Sequence, residues 1–89
     1  MRINENFVLK TIAGEAVAMP VGEAVSKING MIKLNPTAEV IWKALEHETT
    51  LEDVISTVRA NCQNVNEATI IEDVVDFTEK LRKLGILEE

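Results

Sequence analysis

Gly30-Met31-Ile32-Lys33-Leu34-Asn35-Pro36-Thr37-Ala38-Glu39-Val40-Ile41-Trp42 is where the chain changes period. Met31 to Leu34 is a short β-prone run leaving the Asn29-Gly30 turn signal. Beyond it, Val40, Ile41, Ala44 and Leu45 recur at the spacing of one helix face, with Trp42 on its flank. Between the two patterns, Asn35 offers a capping side chain and Pro36 a missing N–H that costs nothing in a first helical turn; Thr37 is a rival cap. The stretch therefore reads as the end of a sheet and the start of a helical half.

Upstream, Phe7, Leu9 and Ile12 lead to Ala13-Gly14, and Ala16-Val17-Ala18-Met19 runs up to Pro20. Two strands joined by a tight turn are expected. With alanine before Gly14, a type I turn closing on a left-handed Gly14 is favoured over type I′, which needs positive φ at Ala13 as well. Pro20 cannot donate to a ladder and belongs at a strand end. Val21 to Asn29 forms a longer connection, with a helical turn expected around Glu23 to Lys27.

Downstream, Thr49-x-x-Glu52 and Thr50-x-x-Asp53 both read as capping boxes for a second helix that buries Leu51, Val54, Ile55 and Val58 and ends near Cys62. A third helix is expected from Asn66 to Gly85. Its stripe Ile70, Val74, Phe77, Leu81 and Leu84 follows 4-3-4-3 spacing, Arg82 and Lys83 suit the negative end of the helix dipole, and Gly85 suits the position just past the end. Ile86-Leu87 should pack back as a tail. The fold class is α+β: a three-stranded antiparallel sheet followed by three helices, with the helix pair near residues 50 to 84 resembling a winged helix-turn-helix.

Composition narrows the function. The 89 residues leave room for a single domain spanning 1–89, and 46% hydrophobic residues with a mean hydropathy of +0.05 are too apolar for disorder. Nine basic against fifteen acidic residues give a net charge of −6, the wrong sign for a protein that binds by neutralising phosphates. With 3% aromatics, base stacking is poorly supported. Cys62 is the only cysteine, which excludes an internal disulfide and a multi-cysteine zinc site. No signal peptide pattern opens the chain, and no apolar run approaches the ~18 residues of a membrane span. A cytoplasmic, non-membrane protein is expected.

Catalysis finds little support. His47 is the sole histidine and no motif surrounds it or Cys62. Glu72, Asp73, Asp76 and Glu79 fall on the polar side of the third helix, where a solvated face explains them. Gly14, Gly22, Gly30 and Gly85 are isolated and cradle no phosphate. The sequence thus argues for a non-enzyme without cofactor or metal. A winged-helix DNA-binding regulator is one alternative, but where a groove reader needs basic or amide groups the leading turns of the third helix offer Asn66, Glu67, Thr69, Glu72 and Asp73, with only Arg59 nearby carrying positive charge.

The third strand is more promising. In a 1-2-3 sheet, Gly30, Met31, Ile32, Lys33 and Leu34 form an exposed edge blunted only by Lys33, and the third helix carries a second stripe, Ile71, Val75 and Thr78, beyond its core face. Strand and stripe together suggest a groove for an extended peptide: backbone on the edge, aliphatic anchors on the helix. A structural module that pairs with itself through the same edge, as a homodimer, is the other alternative.

The order Phe7-Val8-Leu9-Lys10, Ile12-Ala13-Gly14-Glu15, Pro20-Val21-Gly22-Glu23, Asn29-Gly30, Leu34-Asn35-x-Thr37-Ala38, Ile41-Trp42-x-x-Leu45 and Phe77-x-x-x-Leu81-x-x-x-Gly85-Ile86-Leu87 resembles the PqqD-like family over nearly the whole chain. These are small peptide chaperones, also described as recognition elements for ribosomally made precursor peptides. The resemblance implies a domain without catalytic residues that binds a precursor's leader segment as a strand added to the third strand, against the third helix. It also implies a partner that modifies the core segment, often a radical S-adenosylmethionine enzyme.

Overall fold

The computed structural model describes residues 1–26, 31–62 and 65–89. Strands β1 (Arg2–Ile3), β2 (Phe7–Ile12) and β3 (Glu15–Pro20) are followed by a 3-10 turn (Gly22–Ser26) and β4 (Ile32–Leu34). Helices α1 (Pro36–Ala44), α2 (Leu51–Asn61) and α3 (Glu67–Lys83) come next, and β5 (Leu87–Glu88) closes the order. The expected three strands are β2, β3 and β4, paired antiparallel in that order ahead of three helices, so the α+β architecture stands. The Asn29-Gly30 turn and Lys27 lie outside the described residues.

The β2–β3 hairpin corrects one expectation. Ile12 pairs with Glu15, so Ala13 and Gly14 alone make the loop, and both have positive φ, +53° and +79°. That is the type I′ signature, not type I. A two-residue loop must match the right-handed twist of its strands, and this requirement overrides the reluctance of alanine to enter the left-handed region.

Each helix begins at a polar cap. The Ala38 N–H donates to Asn35 Oδ1 at 2.8 Å, with Pro36 at the first helical position. Asp53 N–H donates to Thr50 Oγ1 at 3.2 Å and Ala68 N–H to Asn66 Oδ1 at 2.7 Å. At the far end of α3 the chain reverses through Gly85, φ +75°, a conformation that favours glycine, and Ile86 N–H returns to Leu81 O at 2.9 Å.

The core joins sheet and helices in one cluster. Trp42 and Leu45 of the α1 end, Val54 and Val58 of α2, Val74 and Leu81 of α3, and Ile86 are all fully buried. Trp42, expected on the flank of α1, is therefore central. Ala16 and Ala18 of β3 face this cluster, and their small size lets the helices approach the sheet. The α3 stripe differs from its sequence reading at two places: Leu84 is exposed, and Thr78 is buried, its hydroxyl donating to Val75 O at 3.0 Å. A straight helix drifts by about 20° per heptad relative to a 3.5-residue repeat, so fourteen residues after Ile70 the stripe has rotated off the core.

The Ile86-Leu87 tail is itself a strand. Arg2 pairs with Glu88 and Ile3 with Leu87, forming a separate two-stranded sheet, and Ile3 N–H also reaches Leu45 O at 2.8 Å. Two-residue strands carry too little periodicity to be read in advance.

Candidate functional site

Strand β4 is an edge of the sheet, with β3 on one side and, among the described residues, no strand paired on the other. The register Ala16↔Leu34, Val17↔Lys33, Ala18↔Ile32 sends Ile32 and Leu34 to the same face as the core-facing alanines, and Lys33 to the outer face, where its ammonium lies 3.5 Å from Glu15. Leu34 is buried and Ile32 is half-buried against the core; Met31 is exposed. Gly30, the first residue of the expected rail, lies outside the described residues. Strand β2 forms the other edge, with its packing concentrated on β3.

One flank of α3 carries a row of clefts, and their linings give the direction of the helix relative to β4. At one end Asp73 and Asp76 share a cleft with Asn35, Thr37 and Ala38, at the junction of β4 and α1. Further along, Asp76 opens onto Lys80, Lys83 and Leu84. At the other end Leu84 and Gly85 face Phe7, Ala24 and Asn6 across a cleft of about 310 Å³. In the sheet, the Phe7–Pro20 row lies beyond Leu9–Ala18–Ile32, which lies beyond Thr11–Ala16–Leu34. Helix α3 therefore runs opposite to β4, its acidic residues at the strand's C-terminal end and Leu84 at its N-terminal end.

The expected wall residues, Ile71, Val75 and Thr78, do not share one environment. At about 100° per residue, Asp73, Phe77, Lys80 and Leu84 share one flank, whereas Ile71 and Val75 lie on the opposite one. Ile71 and Val75 are exposed and line neither the Asn35–Asp73 cleft nor the Asp76–Leu84 cleft, and Thr78 is buried. The Asp73 and Asp76 end of this flank shares a cleft with Asn35, which directly follows β4. Helical drift separates the two readings of Leu84, core by heptad spacing and exposed flank by true rotation.

Between α2 and α3, the Arg59 guanidinium forks onto the Glu67 carboxylate, with Nε donating to Oε2 at 2.8 Å and Nη2 to Oε1. The side-chain hydrogen bond, aided by charge attraction, holds the Glu67 carboxyl below the usual range and raises Arg59. Among the described residues no three His, Cys, Asp or Glu side chains form a metal-holding group, and no helix is long and apolar enough to cross a membrane.

Residues 15–87 match the family model of coenzyme PQQ synthesis protein D, PqqD. The chain belongs to the PqqD family. Among solved structures, that of TbiB1 in complex with the TbiA(beta) leader peptide superposes with a TM-score of 0.75 at 24% identity, covering 99% of this chain and 95% of the other. At that identity the likeness concerns the fold. No curated protein matches the chain. The β2–β3–β4 sheet followed by three helices is thus a PqqD-type arrangement, and the family model includes both β4 and the whole of α3.

Proposed function

We propose that this PqqD-family protein is a non-catalytic peptide chaperone that takes the leader segment of a ribosomally synthesised precursor as an added strand on β4. The observation that carries the reading is the β4 edge, on which no strand is paired among the described residues and at whose Asn35 end the clefts of α3 begin. Membership of the PqqD family and a fold shared with TbiB1, which was solved with a leader peptide, support it. A peptide held by main-chain pairing needs neither aromatic rings nor a basic surface, in keeping with a chain poor in rings and net acidic.

The chemistry of the site suits presentation. Unpaired amide and carbonyl groups along β4 supply sequence-tolerant attraction, while half-buried Ile32 and exposed Leu84 select for aliphatic side chains. A short added strand with a few anchors falls at the small end of interfaces, giving a Kd of about 1 μM, or about −8 kcal/mol. The bound leader would leave its core segment free for a modifying enzyme, which we take to be a radical S-adenosylmethionine protein of the cytoplasm. The exposed acidic start of α3, with Glu67, Glu72 and Asp73, disfavours DNA docking.

The test is an amide NMR titration with the leader of a short peptide encoded beside this chain's gene. Shifts are expected at Met31 to Leu34 and from Asp73 to Leu84. N-methylation of alternate leader amides should abolish binding in one phase and spare it in the other. Shifts confined to β2, or equal tolerance of both methylation phases, would reject strand addition to β4.

A further inference from the structure

The cleft-lined flank of α3 is electrically divided. Asp73 and Asp76 stand at the Asn35 end, Lys80 and Lys83 toward Leu84. Of the other charges on the helix, Glu67 is engaged by Arg59 and Glu79 by Arg82, which also holds Glu89, while exposed Glu72 lines neither of these clefts. No ion pair among the described residues engages Asp73, Asp76, Lys80 or Lys83. The groove therefore presents two acids and two bases with their charges uncommitted.

Resting on the reading of this groove as a leader-peptide site, we infer that it selects leaders by charge order. The preferred segment is basic first, aliphatic in the middle and acidic last. The order follows from direction: the sheet is antiparallel throughout, so an added strand entering antiparallel to β4 starts at the Asn35 end, beside Asp73 and Asp76. The spacing follows from two rises. Seven helical residues separate the acidic from the basic pair, about 10 Å at 1.5 Å each. Side chains on one face of a strand recur every two residues, about 7 Å, so a basic residue and an acidic residue four positions later straddle that distance with long side chains. The position between them sits over half-buried Ile32 and Phe77 and is aliphatic.

The attraction is that of partly exposed pairs, each a modest gain, so two pairs together give a preference of about 3- to 10-fold. It is screened by salt and falls away by roughly 0.5 M.

Selection from a phage-displayed library of random twelve-residue peptides tests this directly. On the unaltered protein, enriched sequences should carry a basic residue four positions before an acidic one, with an aliphatic residue midway. On the Asp73→Lys, Asp76→Lys, Lys80→Glu, Lys83→Glu variant the order should invert. Should four reversals unfold the helix, as circular dichroism would show, Asp73→Asn with Asp76→Asn removes only the basic preference. Enriched peptides without a charge order, or with an order the variants leave unchanged, overturn the inference while the peptide reading stands. Failure to enrich any peptide over background rejects the peptide reading itself.

Discussion

Arg59 and Glu67 clamp the two sides of the α2–α3 connection through a forked guanidinium–carboxylate pair, in which Nε donates to Oε2 at 2.8 Å. The pair fixes the start of α3, whose later turns form the groove. The hydrogen bond from Arg59 lowers the Glu67 carboxyl below its ordinary value of 4.5 in the folded state. A lowered folded value means that the stabilisation is complete above the unfolded value and is lost as pH falls through the folded one. Glu67→Gln should therefore reduce the urea midpoint at pH 7 slightly and flatten the acid limb below about pH 4.5. Equal losses at pH 7 and pH 3 would show that the carboxylate charge is not involved.

The turn at Ala13 predicts a gain. A non-glycine residue in the left-handed region costs about 1–2 kcal/mol, and asparagine tolerates it better than alanine. Ala13→Asn should raise stability by about 0.5–1 kcal/mol in urea unfolding. A lower midpoint would mean that the β2–β3 loop does not hold the type I′ conformation.

Leu84 and Val75 offer a matched comparison. They are 41% and 36% exposed on opposite flanks of α3, so a charge at either should disturb folding to a similar degree. Leu84→Asp should weaken leader binding about 10-fold, or about 1.4 kcal/mol. Val75→Asp should change it less than about twofold by the same measure. The reverse pattern in fluorescence anisotropy would place the peptide on the Ile71–Val75 side.

Trp42 is wholly enclosed by the core. Trp42→Ala should cost about 3–5 kcal/mol in chemical unfolding, a large share of the stability of a small domain. A loss below about 1 kcal/mol would contradict the central packing of this ring.

The sequence exposed those features whose cause is local. Asn35, Thr50 and Asn66 cap their helices because a short polar side chain before an apolar period has one favourable use, and Gly85 reverses the chain because few other residues can. What was hidden depends on distant partners. Ala13 takes positive φ because of the register between Ile12 and Glu15. Thr78 is buried, and Leu84 exposed, because a straight helix turns away from a heptad pattern. Strand β5 exists because β1 is there to receive it. The edge position of β4 was legible in the sequence; which flank of α3 would stand beside a peptide on that edge was not, since the choice requires knowing where β4 lies.

The pairing of Arg2 with Glu88 brings the two termini within one interstrand spacing, about 5 Å. Topologically, the polypeptide is a ring cut at a single point. A short glycine linker could join the ends and a new opening be made at Ala13-Gly14, or the whole module could be spliced into a surface turn of a modifying enzyme without stretching its host. Either rearrangement would leave the β4 edge and α3 untouched, so recognition could be moved between proteins as a portable cassette.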